Sequence, residues 1–217
     1  MTKMKSDVAR AYFWALLDNA TSLVEDAALL AERSPARAQA LLILAYEELG
    51  KADWVHEAFW KSWQSGRSAA LVVEPLSTGA RHHGAKYLSG RDAVGVLYDL
   101  PIWVTFDELE PLPPESRPGG VSGDFRVETA AIRDRVAASA NDAKQRGFYV
   151  DVTRDGHIRT PRDLEVYDLD EHRGHIAEGI VYLIGADQEL VTRRWTSVEP
   201  ADEIRLRADA HARYDDF

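Results

Sequence analysis

An all-α bundle is the fold class that this sequence predicts, and three observations carry it. Apolar residues recur at the 3.6-residue period of a helix through several long stretches. The breaks between them fall on helix start and stop signals such as Ser34-Pro35 and Gly66. Strand signals are confined to a short segment around Asp155-Gly156. At 217 residues the chain is long enough to bury a proper core. We expect a single helical domain over 1–217, with its core in 6–105 and 125–194, a loop at 106–124 and a C-terminal helix at 201–214.

The first helix is expected from Ser6 to about Glu32. Phe13, Leu16, Leu17, Ala20, Leu23, Val24, Ala27 and Leu30 form one broad stripe along it, with Asp18, Ser22 and Glu25 opposite. Ser34 as N-cap and Pro35 in the first turn, where its missing N–H is harmless, start a second helix. It extends to about Trp63 and ends at Gln64-Ser65-Gly66. Ser68 to Ala80, interrupted by Glu74-Pro75, reads as a loop. Helical spacing returns from Arg81 to about Leu100, with Tyr87, Val94, Leu97 and Tyr98 as core contacts, and Pro101 stops it. Pro111 to Gly123 is the clearest linker. A helix from about Phe125 to Arg146 follows, closed by Gly147. Tyr149–Asp151 and His157–Arg159 flank Arg154-Asp155-Gly156, whose Asp-Gly turn could close a short hairpin. Pro161 opens a helical region through Arg194, built on Leu164, Val166, Ile176, Ile180, Leu183 and Ile184, and the last helix follows from Ala201 to Tyr214.

The chain has no cysteine, so disulfides, thiolate chemistry and Cys-based zinc sites are excluded. No apolar run approaches the ~20 residues of a membrane span and no signal peptide is visible, so a soluble cytoplasmic protein without a membrane partner is expected. A net charge of −10 argues against a surface that tracks nucleic-acid phosphate throughout. It leaves room for a local basic cleft. Arg81, His82, His83, Lys86 and Arg91 are the densest cationic cluster, and if RNA binds, it is expected there, with Arg81, His82 and Arg91 as binding residues.

Glu47-Glu48-Leu49-Gly50-Lys51 is the most informative stretch. Leu41, Leu44, Ala45, Ala52, Val55 and Phe59 gather into one helical stripe, with Glu48 at its centre and Glu47 pointing away. Burying an unpaired carboxylate costs on the order of several kcal/mol. Glu48 should therefore meet a cation or sit in a functional cleft, with Lys51 the nearest local candidate. The plainer alternative is an i,i+4 pair of Glu47 with Lys51, worth roughly 0.2–0.5 kcal/mol, with Glu48 at a wet helix crossing.

Asn19 through Leu30, Arg37-Ala38-Gln39-Ala40-Leu41 and Ala45 through Lys51 together resemble the opening helix pair of AbiV-type abortive infection proteins, in the HEPN superfamily. Phe59-Trp60-Lys61 with the later His83-Gly84-Ala85-Lys86 resembles that family's aromatic segment and H-x-x-K pair. Gly147-Phe148-Tyr149-Val150-Asp151, with Pro161 ten residues on, is similar to its next segment. The resemblance implies a HEPN-like helical bundle acting in phage defence by interfering with RNA or translation. It also implies a homodimer, and as partners RNA and a phage-encoded activator or a host translation component, with no cofactor and no metal.

HEPN ribonucleases carry R-x(4–6)-H, whose histidine acts on the ribose 2′-hydroxyl while the arginine offsets phosphate charge. Arg205 and His211 meet that spacing, as chance alone would supply, and stand as secondary candidates. His83 and Lys86 are better placed, because i,i+3 spacing puts both on one helical face. His83 would act as general base and Lys86 or Arg81 would offset phosphate charge. Glu48, supported by Lys51, would orient His83 or hold Lys86. The alternative is an ion pair that only pins two helices together. His172 and His175 lie beside Asp170 and Glu171 without a metalloprotease pattern, and a charged helix start explains them. Gly119-Gly120-Val121-Ser122-Gly123 lacks the lysine of a phosphate loop. The six tryptophans, several on the first two helices, read as core and dimer-interface anchors. Two readings remain open: an RNA-binding, RNA-cleaving effector, and a non-catalytic interaction module that blocks translation by binding a protein.

Overall fold

The computed structural model describes residues 3–67, 69–78, 83–95, 123–166 and 168–192. The periodic stripes of the first 65 residues become two long helices, α1 (Ser6–Leu30) and α2 (Pro35–Ser65). Ser34 occupies the N-cap of α2 without a side-chain bond, and Pro35 takes the first position, where a missing N–H costs nothing. Gly66 ends α2 in the left-handed region at φ 72°, and its N–H bonds to the Ser62 carbonyl.

Where a loop was expected between Ser68 and Ala80, the chain pairs with its own start. β1 (Lys3–Met4) runs antiparallel to β2 (Leu71–Val72), with Lys3 opposite Val72 and Met4 opposite Leu71. A short helix, α3 (Glu74–Thr78), follows at once. Val73 and Leu76 are buried there, and this apolar patch holds the segment against the bundle.

The remaining helices are α4 (His83–Gly95), α5 (Gly123–Phe148) and α6 (Leu169–Thr192). Between α5 and α6 stands the expected hairpin, β3 (Asp151–Val152) against β4 (Ile158–Arg159), with Gly156 at φ 81° in its turn. Pro161 does not open one continuous helix. A capping box between Thr160 and Asp163 closes a single 3-10 turn, Pro161–Asp163, and Leu164 leaves it in an extended conformation. Asp168, at φ 56°, turns the chain into α6; Asp is among the few side chains that tolerate the left-handed region. The expected core contacts Leu97 and Tyr98, the linker between Pro111 and Gly123 and the helix at 201–214 lie outside the described residues. Among those described, no helix is long and apolar enough to cross a membrane.

α2 is the hub, packing against α1, α4, α5 and α6. It is therefore buried nearly all round, with Leu42, Ile43, Tyr46, Leu49, Val55, Phe59 and Trp63 in the core. Trp14 and Trp63 are core residues, packed edge-to-face and at a tilt on Phe13, so they anchor the bundle itself. Arg10 of α1 stacks over Trp63 at 5.2 Å and donates to the fully buried Asp187 of α6 at 2.9 Å. This one guanidinium thereby ties three helices together.

α2 and α4 cross with their backbones in contact. A Cβ on Gly50 would stand 2.1 Å from the Lys86 carbonyl oxygen, and one on Gly90 would stand 2.0 Å from that of Tyr46. Gly147, expected to close α5, instead lies inside it, where a Cβ would come within 2.4 Å of the Ala36 carbonyl oxygen. Gly50→Ala should force the α2–α4 crossing apart and cost about 1–3 kcal/mol. Gly185→Ala, at an exposed α6 position with nothing within 4 Å, should gain up to about 1 kcal/mol from helix propensity. Urea denaturation of both variants checks this; equal shifts would refute the crossing.

Candidate functional site

The site is built on a carboxylate sunk into the hub helix. Glu47 is only 3% exposed, on the face of α2 that meets α4 and α5. Its Oε2 accepts from His83 Nδ1 at 2.8 Å and from Lys86 Nζ at 3.1 Å, and its Oε1 accepts from Lys144 Nζ at 2.5 Å. Lys86 and Lys144 are themselves buried, whereas the His83 side chain is 48% exposed. α4 supplies the histidine and one lysine a turn apart, and α5 supplies the second lysine.

This arrangement corrects the sequence reading by one residue. Glu48 is not the central carboxylate: it pairs with Lys51 at 2.6 Å, both partly exposed, on the other side of α2. Neither touches His83 or Lys86. A single apolar stripe presumes one buried face, but α2 is enclosed by four helices, and the face towards α4 and α5 passes through Ile43, Glu47 and Gly50. Glu47 therefore does not bond to Lys51; its partners come from 36 to 97 residues away.

His83 and Lys86 stand together, as their i,i+3 spacing predicts, with Lys86 Nζ 3.5 Å from His83 Nδ1. Arg91, also on α4, lines a separate cavity with Tyr46, Tyr87 and His172. Arg81, His82, Arg205 and His211 lie outside the described residues. His172 packs edge-on against Tyr46, 6.1 Å between ring centres, and His175 lies 3.9 Å from Glu171. Among the described residues no cluster of three or more His, Asp or Glu side chains could hold a metal ion.

Lys144 is the residue that sequence reasoning missed. Its signal was faint but physical: Ala140, Lys144 and Gly147 share one face of α5 at i, i+4 and i+7, and all three are buried. A lysine inside such a stripe of small residues needs a buried partner.

Burial by itself would raise the Glu47 pKa. The bonds from Lys144, His83 and Lys86 outweigh it and hold the carboxyl below its ordinary value. An ionised carboxylate only accepts, so His83 Nδ1 carries the hydrogen and Nε2 is left as the basic nitrogen. The formal charges do not cancel: one carboxylate faces two buried ammonium groups, and among the described residues no second carboxylate pairs with either lysine. The cluster carries excess positive charge at the foot of a half-exposed imidazole.

Glu47→Gln leaves two buried ammonium groups without a counter-charge and should cost about 3–5 kcal/mol by chemical denaturation at pH 7. Because the folded pKa is depressed, Glu47's contribution is complete above the unfolded value of about 4.3 and fades as pH falls towards the folded value. The gap between wild type and variant should therefore narrow in acid. Asp53 behaves in the opposite sense. Its pKa is raised to about 6, by burial first and by Glu57 and Asp92 next, against a bond from the Ser89 hydroxyl at 3.2 Å. A raised carboxyl favours the fold below the unfolded pKa and loses that advantage as pH rises through 6. Asp53→Asn should thus raise the melting temperature above pH 6 and leave it unchanged below about pH 4.

The family model HEPN_AbiV, described as AbiV, matches residues 8–181, a span that holds Glu47, His83, Lys86 and Lys144. No curated protein and no solved structure matches the chain. The matched span runs from α1 into α6 and takes in well over half of the 217 residues. With the helical hub and the H-x-x-K pair on α4, this shows that the chain belongs to the AbiV family of HEPN-type abortive infection proteins.

Proposed function

We propose that the chain is a phage-defence effector that binds RNA and cleaves it without a metal ion at the Glu47 cluster, shutting down translation. The observation that supports this best is the uncompensated positive charge of Lys86 and Lys144 on one carboxylate, beside an exposed imidazole. A phosphate is the anion such a surplus suits. In this reading Glu47 fixes the tautomer, and His83 Nε2 takes the 2′-hydroxyl proton of a bound ribose. The 2′-oxygen then bonds to the adjacent phosphorus, the bond to the 5′-oxygen breaks, and the imidazolium returns its proton to that oxygen. Lys86 and Lys144 offset the charge that grows on the phosphate. The products are a 2′,3′-cyclic phosphate and a 5′-hydroxyl.

A second reading draws on a different observation. Phe148, Tyr149, Val150, Val152 and Ile158 form a run of exposed apolar side chains, 37–64% accessible, at the end of α5 and on the hairpin. Exposed apolar side chains gathered in so short a stretch of chain suit protein docking, either to a second copy of the chain or to a host or phage protein.

Purified protein incubated with total RNA in EDTA should cleave it. His83→Ala should slow cleavage roughly 10²–10⁴-fold with little change in RNA affinity. Lys86→Met should weaken binding and flatten its salt dependence by about one counter-ion. Loss of activity in His211→Ala with retention in His83→Ala would move the site to the C-terminal segment. Full protection in cells by both α4 variants, combined with loss of protection when Val150 and Ile158 become charged, would favour the interaction module.

A further inference from the structure

Beside the Glu47 cluster, α2, α4, α5 and α6 enclose a partly open cavity of about 210 Å³. Its walls combine the aromatic rings of Tyr46 and Tyr87 with Gln39, Arg91 and His172, over a floor that includes Ala143. Two of these residues each bury a polar atom without any hydrogen-bond partner among the described residues: Gln39 Oε1 and His172 Nδ1. Neither is a trivial omission, because native interiors leave few polar groups unpaired. No carboxylate pairs with Arg91 among the described residues, although its charge is felt by both Tyr46 and His172. A guanidinium with no carboxylate partner among the described residues thus lines an aromatic-walled space, and two of the wall residues each bury an unpaired polar atom.

Size and chemistry together restrict the occupant. A cavity of roughly 150 Å³ holds a benzene ring. The larger space here fits a fused two-ring base. The Arg91 fork matches two adjacent acceptors, which guanine presents at O6 and N7, whereas adenine places a donor at the corresponding position. Burial, followed by the charges of Arg91 and His175, holds the His172 pKa down at about 4, so its ring is neutral at pH 7 and adds no repelling charge.

We infer that this cavity is a base-binding pocket that takes a guanine ring. The inference rests on the RNA reading above, since the base would belong to an RNA held at the neighbouring cluster. Tyr46 directly precedes Glu47, Tyr87 directly follows Lys86, and Ala143 directly precedes Lys144, so three cavity residues are chain neighbours of three cluster residues. The pocket would select which nucleotide is presented to His83.

Guanosine, adenosine and uridine 5′-monophosphates, titrated calorimetrically into the full chain in EDTA, test this without any cleavable bond. Guanosine monophosphate should bind saturably, and about ten- to a hundredfold more tightly than the adenosine or uridine compounds. Arg91→Met should remove that preference, and Ala143→Leu, which fills the cavity without deleting a polar group, should abolish binding. Thermal melts of both variants confirm that they fold. Equal binding of all three nucleotides, binding indifferent to both substitutions, or no binding by the wild-type chain would each overturn the inference. Because nothing is cleaved, failure here leaves the ribonuclease reading intact, and failure of cleavage leaves the pocket intact.

Discussion

A buried carboxylate has to be matched by cations, and in this protein the requirement governs where α4 and α5 lie. Desolvating the Glu47 side chain costs on the order of several kcal/mol, and only donors close enough to replace its hydration offset that. Both oxygens are occupied: one by Lys144 of α5, the other by His83 and Lys86 of α4. Any shift of α4 or α5 relative to α2 would leave a charge stranded. The two lysines face the same constraint, since each is buried and has Glu47 as its ion-pair partner. The arrangement acts as a geometric specification more than as a source of net stability, because an apolar replacement of the whole set could be equally stable.

Such close docking requires bare backbone at the crossing. Helices separated by ordinary side chains lie about 8–10 Å apart. Gly50 and Gly90 let α2 and α4 approach until a single methyl group on either would overlap a carbonyl of the other. Lys86 contributes its carbonyl to that contact and its ammonium to Glu47, so the crossing and the charge cluster share one residue. Elsewhere on the hub, Arg10 performs an analogous task with Asp187 and Trp63. The two contacts differ in kind: Arg10 joins Asp187 through a guanidinium that also lies over Trp63, whereas two ammonium groups share Glu47.

The pairing of two ammonium groups with one carboxylate at Glu47 links the fold to the proposed chemistry. The chain as a whole carries −10, which would repel RNA at long range. A local positive surplus held in low dielectric acts strongly over the few ångströms that matter for a bound phosphate. His83 is the member of the cluster that stays half exposed, so in the proposed reaction a solvent-borne substrate would meet an imidazole whose orientation Glu47 already sets.

Much of the architecture was legible in the sequence, because helix boundaries depend on local chemistry. Ser34-Pro35, Gly66 and the Asp155-Gly156 turn act through backbone geometry within a few residues, and each stands where its pattern places it. The adjacency of His83 and Lys86 likewise follows from helical spacing. What only the tertiary structure decided is which face of α2 is interior. A stripe argument assumes one buried side, so it selected Glu48 and set Glu47 aside; four surrounding helices reverse that, and Lys51 stays with Glu48 at the rim. The β1–β2 pairing and the bonds from Lys144 to Glu47 and Arg10 to Asp187 join residues 67 to 177 positions apart. No local pattern encodes such partners, because they meet only when separate helices have packed, and packing is decided by the summed burial of the whole chain.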